Sequence, residues 1–156
     1  MADAVRLVFT KGGGKYDRLD VVRGSGEVER VECPKQGIIP HDMVHYAVEA
    51  TLHRRGFLAR VARGEAAGLR MQPESESDGV ERLVEVIQGD AWSGGGSAPA
   101  DMLDLYRVTC EARGCPMLAV SESDVEAIRG AFRALSARWS AVPVGGSMVL
   151  EMSATA

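Results

Sequence analysis

Nothing in this sequence approaches the roughly 20 consecutive apolar residues that a membrane-spanning helix needs, so a spanning protein is not expected. Cysteine is scarce: Cys33, Cys110 and Cys115 are odd in number and show no CxxC spacing, which speaks against both a disulfide framework and a zinc ribbon. Burial as small apolar residues is the role expected of them. Positive charge is not in excess either. Lys and Arg number 18 against 22 Asp and Glu, and the formal net charge of −4 argues against a generally basic nucleic-acid binder or a protein held on anionic lipid. Aromatic residues make up 5% of the chain, and only Phe57 lies among the arginines at 54, 55, 60, 63 and 70, so a stacking platform for nucleic acid is missing. The opening Met1-Ala2-Asp3-Ala4-Val5-Arg6 lacks the basic and apolar parts of a signal peptide, and with unpaired thiols this gives a cytoplasmic expectation. Repeats at solenoid periods are absent.

What remains is an ordinary globular mixture, 46% apolar and 26% charged over 156 residues. A chain of that length buries roughly 68 to 70% of its unfolded surface in one domain without staples. Val5, Leu7 and Phe9 alternate with polar or smaller residues, and Leu19, Val21 and Val22 follow beyond Lys11-Gly12-Gly13-Gly14-Lys15, which predicts a hairpin. A P-loop would need a helix after those glycines, and here a strand follows. Glu27 to Cys33 adds a third strand and completes a meander.

From His41 the apolar period becomes helical through Met43, Val44, Ala47, Val48 and Leu52, with Gly56 as the stop. A short helical turn over 57–63 and a polar, acidic loop over 72–79 are expected next. Further helices follow around Val80 to Ile87, from Pro99 to Cys110, and from a capping-box pattern at Ser123 and Glu126 through Val125, Ile128, Phe132, Leu135 and Trp139. Phe132 is expected to be buried. Met148, Leu150 and Met152 alternate as a final strand. The fold class is therefore α+β, an antiparallel sheet made of the N-terminal three-strand meander plus the C-terminal strand, covered by about four helices.

All three histidines lie in one segment, Pro40-His41-Asp42-Met43-Val44-His45-Tyr46-Ala47-Val48-Glu49-Ala50-Thr51-Leu52-His53. Steps of four place His41, His45, Glu49 and His53 along one ribbon of a helix. Two neutral imidazoles four residues apart can share a divalent ion, so His41, Asp42, His45 and Glu49 are the pocket candidates. His41, His45 and Glu49 are the metal candidates, with a further ligand from elsewhere and zinc as the first ion to consider. His53 lies about 18 Å along the axis from His41, too far to share the ion. The same residues also suit a plain helix start, because Pro40 and Asp42 are good first-turn residues and histidines beside an apolar face often only hydrogen-bond within the fold.

His-Asp-Met-Val-His resembles in part the HExxH arrangement of zincin metallopeptidases, with Asp42 where that family has glutamate and with the motif at a helix start rather than within a helix. The segment from Pro40 to Gly64 also resembles a group of bacterial hypothetical proteins that share a PHDxxHxxVE run followed by Gly-Phe and small residues. That resemblance implies a bacterial source and little else. Two functions follow as expectations: a non-catalytic binding or assembly domain with a ligand pocket on the 41–53 helix, and a small metal-dependent hydrolase using His41 and His45. A homo-oligomer is left open.

Overall fold

The computed structural model describes residues 4–65 and 74–153. Four strands, β1 (Ala4–Thr10), β2 (Tyr16–Arg23), β3 (Val28–Pro34) and β4 (Ser147–Ser153), form one antiparallel sheet in the order β3-β2-β1-β4. The expected meander and the expected return of the C-terminal strand are both present. Registers explain why this pairing is fixed: Leu7 stands opposite Val21 on one side and Leu150 on the other, and Phe9 opposite Leu19 and Met148. A slip of one residue would turn every one of these side chains to solvent.

Five helices follow β3: α1 (His41–Leu52), α2 (Phe57–Ala62), α3 (Ser75–Trp92), α4 (Pro99–Arg113) and α5 (Glu122–Ser140). One face of the sheet, carrying Val5, Leu7, Phe9, Leu19, Val21, Leu150 and Met152, shares a single buried core with apolar residues from all five. None of the described helices is long and apolar enough to cross a membrane.

Three details depart from the sequence reading. The acidic segment expected as a loop over 72–79 is helical from Ser75, while residues 72 and 73 lie outside the described residues. Glu76 and Asp78 sit in the first turn, where the helix dipole favours carboxylates. Glu74 and Glu76 are also paired with Arg55, and Glu74 with Arg63 at 3.6 Å, so the basic and acidic stretches meet within the chain. The capping box of α5 is Ser121 with Asp124, two residues ahead of the expected pair. Ser121 Oγ accepts from the Asp124 amide at 3.1 Å and Asp124 Oδ2 accepts from the Ser121 amide at 2.9 Å, whereas the Ser123 hydroxyl lies against Ser121 Oγ.

Phe132 is the third departure. It is only half-buried and lines a surface cavity of about 200 Å³ with Ile38, Ile87 and Arg129. Phe132→Ala is therefore expected to cost about 1 to 2 kcal/mol rather than the loss a fully buried phenylalanine would give. Urea melts of the two proteins measure it, and a shift of 3 kcal/mol or more would contradict the half-buried placement.

Candidate metal centre

The site is built on the first two turns of α1 and the facing surface of α3. Pro40 precedes α1 with φ −54°, and its carbonyl accepts from the amides of Met43 and Val44, so the helix begins with His41 already on its surface. Val44, Ala47 and Val48 pull one face of α1 into the core. That burial fixes the rotation of the helix and brings His41 and His45 to the margin against α3. The two rings meet edge to face, 4.9 Å between centroids, and Phe57 closes on His45 from α2 at 5.9 Å.

Glu81 of α3 completes the arrangement. His45 Nε2 lies 2.6 Å from Glu81 Oε2 and His41 Nε2 lies 3.3 Å from Glu81 Oε1. One ligand atom from each of His41, His45 and Glu81 falls within 4.8 Å of the others. His45 is buried, while the side chains of His41 and Glu81 are 41% and 32% exposed, so the cluster opens to solvent on one side.

Both rings are held from behind. Gln36 Nε2 donates to the Ile39 carbonyl and to Gln88 Oε1, and this identifies Gln88 Oε1 as the oxygen that faces His41 Nδ1 at 2.9 Å. An oxygen cannot donate, so His41 carries its proton on Nδ1 and presents the Nε2 lone pair when neutral. For His45 the same part is played by Glu49, whose Oε2 lies 2.9 Å from Nδ1. Imidazoles that bind metals almost always donate their second N–H to such a carboxylate, carbonyl or water, which sets tautomer and ring orientation.

Glu49 thus stands behind His45 and not beside its Nε2. It is fully buried, and its two oxygens accept from the amides of Gly56 at 3.1 Å, Leu58 at 3.1 Å and Ala59 at 2.8 Å. The carboxylate caps the start of α2, which has no side-chain cap of its own. Gly56 is required there: a Cβ would stand 2.6 Å from Glu49 Cδ and from a methyl of Val80. Asp42, the residue in the glutamate position of the HExxH pattern, has Oδ2 3.8 Å from Cys33 Sγ on the sheet. Burial pushes the carboxyl of Asp42 up, against the pull of His45 and His41. His53 ends α1 in the left-handed conformation, φ 53°, and is exposed, away from the cluster.

Electrostatics tie the cluster together. Burial acts to lower the pKa of His45, but hydrogen bonds to Glu49 and Glu81 and their charges outweigh it and push the imidazole up to about 10. Hydrogen bonding to Glu81 raises His41 against a smaller opposing effect of burial. Burial raises Glu81, and the two histidines together more than reverse this, holding its carboxyl well below the usual range. Without a metal, then, His45 is an imidazolium clamped between two carboxylates.

Of the metal candidates His41, His45 and Glu49, the first two meet in the cluster and Glu49 lies behind His45, while the carboxylate from another part of the chain is Glu81. In the sequence Glu81 is one of several neighbouring acids, with Glu74, Glu76, Asp78 and Glu85. The available signal was its spacing of seven from Gln88, two turns along the same helix and flanking the apolar positions Leu83, Val84 and Ile87. No family model matches this chain, and no curated protein or solved structure matches it either.

Proposed function

We propose that this protein is a binding domain for a divalent metal ion, held by His41 Nε2, His45 Nε2 and the Glu81 carboxylate. The observation that carries the reading is the shared orientation of the two rings. Both turn Nε2 onto one carboxylate while Nδ1 is fixed by Gln88 or Glu49. Two imidazoles and a carboxylate suit zinc first, at bond lengths of about 2.0 to 2.2 Å. Ligand atoms on a tetrahedral ion with such bonds stand about 3.3 to 3.6 Å apart. The separation of 3.3 Å between His41 and Glu81 already fits. The 2.6 Å between His45 and Glu81 is a hydrogen-bond distance, so an ion entering here displaces the Nε2 proton and moves the partly exposed Glu81 outward.

Three protein ligands with one side open to solvent leave a coordination position for water, and this favours a second reading, metal-dependent hydrolysis. The binding reading ranks ahead because the two carboxylates nearest in sequence are otherwise engaged. Glu49 holds three amides, and Asp42 is turned toward Cys33.

Elemental analysis of tag-free protein, loaded with zinc and then dialysed, tests the proposal. About one ion per chain is expected in the wild type, with none retained by a His41→Ala, His45→Ala variant. His41→Ala with Glu81→Ala serves as the second variant, since both of those side chains are half-exposed and the fold should tolerate their loss. Equal metal in the wild type and both folded variants would remove the proposal.

A further inference from the structure

Cys110 and Cys115 occupy the two ends of a helix-terminating turn whose hydrogen bonds draw their backbones together. Gly114 ends α4 in the left-handed conformation, φ 65° and ψ 29°. The Cys115 amide donates to the Cys110 carbonyl at 3.1 Å and the Gly114 amide donates to the Glu111 carbonyl at 3.3 Å. These are the paired hydrogen bonds of a Schellman motif, in which the residue beyond the glycine frequently packs on the residue five positions earlier. Here both residues are cysteine.

The hydrogen bond also limits the span. From the Cα of Cys110 to its carbonyl oxygen is about 2.4 Å, and from the Cys115 nitrogen to its Cα about 1.5 Å. With 3.1 Å between oxygen and nitrogen, the two Cα atoms cannot be more than about 7 Å apart, and the bond angles shorten this further. Disulfides span about 4.4 to 6.8 Å between Cα atoms. Both cysteines are free, and the Cys115 thiol is among the groups that act on the Cys110 thiol.

We propose that Cys110 and Cys115 are an oxidisable dithiol that closes to an intramolecular disulfide when the protein meets a peroxide. Cys110 is fully buried and Cys115 is half-buried, so Cys115 is the sulfur that a small oxidant reaches. Its thiolate attacks one peroxide oxygen; an S–O bond forms, the O–O bond breaks, and the departing hydroxide becomes water with the proton lost from Cys115. Cys110 sulfur then attacks the sulfenic sulfur. The S–S bond forms, the S–O bond breaks, and the hydroxyl leaves as a second water with the Cys110 proton. Two thiols have lost two electrons and one peroxide has been reduced to two waters.

Burial, followed by the neighbouring thiol, pushes Cys110 up to about 11, which suits the resolving part and not the first attack. The product would fasten the end of α4 to the loop that leads into α5. That loop is already tied to the start of α3, because the Tyr106 hydroxyl donates to the Gly79 carbonyl at 2.9 Å and accepts from the Leu118 amide at 3.2 Å.

The test uses the folded, tag-free chain and hydrogen peroxide. After treatment the protein is denatured, alkylated with N-ethylmaleimide and weighed. The reduced chain takes three alkyl groups, one for each free cysteine. The oxidised chain is expected to take one, on Cys33, to be lighter by two hydrogens before alkylation, and to yield a tryptic product joining peptide 108–113 to peptide 114–129. In Cys110→Ser the sulfenic acid on Cys115 has no resolving partner and should be trapped by dimedone. The proposal is overturned by three alkyl groups after treatment, by Cys115 oxidised to the sulfinic acid with Cys110 still alkylated, or by a disulfide-linked dimer in place of the internal bond.

Discussion

Glu49→Ala is expected to destabilise the protein by about 3 to 5 kcal/mol, the range for removing one partner of a fully buried charged pair. Four donors converge on this carboxylate: the amides of Gly56, Leu58 and Ala59, and Nδ1 of His45. None can reach water in its place, since Glu49 is fully buried and His45, Leu58 and Ala59 are at most 2% exposed. Truncation would leave a buried imidazolium facing one carboxylate instead of two, three amides without an acceptor, and a cavity beside Gly56. Glu49→Gln keeps the volume and one acceptor oxygen, so a smaller loss is expected. Chemical denaturation of metal-free protein measures both. If Glu49→Ala changed stability by no more than a surface substitution, the convergence of donors on Glu49 would be wrong, and with it the orientation that Glu49 gives to His45.

The second large effect is a dependence on pH. His45 is raised from 6.5 to about 10 on folding, so the folded protein binds a proton that the unfolded chain releases in between. A raised imidazole contributes stability that is fully present below pH 6.5 and is lost as pH climbs toward about 10. Between pH 6.5 and 9 the metal-free protein should lose on the order of 3 kcal/mol, from 1.36 kcal/mol per pKa unit. The measurement stops near 9 because thiols begin to add to the same slope. Burial, together with Asp42 and Asp17, pushes Cys33 up to about 12, and Cys110 rises to about 11.

At the acid end the sign reverses. Glu81 is lowered by its histidines, so its contribution is present above 4.5 and is lost as pH falls below that value. Asp42, raised by burial, opposes this loss. Urea melts in chelator-treated buffer at pH 6.5, 7.5 and 8.5 follow the alkaline limb. The slope should flatten in Glu81→Gln, where the clamp has one carboxylate. A wild-type profile flat across that range would mean that His45 is neutral when folded.

The same network links the metal reading to the fold. His45 is oriented by Glu49, Glu49 caps α2, and α2 packs against β1 and β4. Loss of the proposed metal ligand His41 should leave the fold intact, because its side chain is 41% exposed and its contacts besides Glu81 are Gln88 and the edge of the His45 ring. Loss of His45 strikes the fold and the site together. Variants at His41 and Glu81 are accordingly the cleaner probes of binding.

Much of this was legible in the chain itself. Alternation at Val5, Leu7 and Phe9 and at Met148, Leu150 and Met152 set the strands, because a sheet with one dry face admits only that period. The three-and-four spacing of Val44, Ala47 and Val48 set α1, and steps of four placed His41 beside His45 on it. Local chemistry was enough for these features, since each depends on neighbours within two turns or one strand. Where local signals competed, the tertiary contacts decided. Acidic residues that read as loop became the start of α3 once Arg55 and Arg63 were in reach, and Ser121 took the cap that Ser123 also suited. The i, i+4 spacing set Glu49 beside His45, but its capping of α2 was out of reach of any local rule, since the three amides are seven to ten residues on and belong to a turn that must first fold back. Glu81 lies 36 residues from His45, and only the packing of α3 against α1 gives one carboxylate two imidazoles. Periodicity chose the faces of the helices. Which polar residues of two faces meet, and with which atoms, is a property of the packed interface alone.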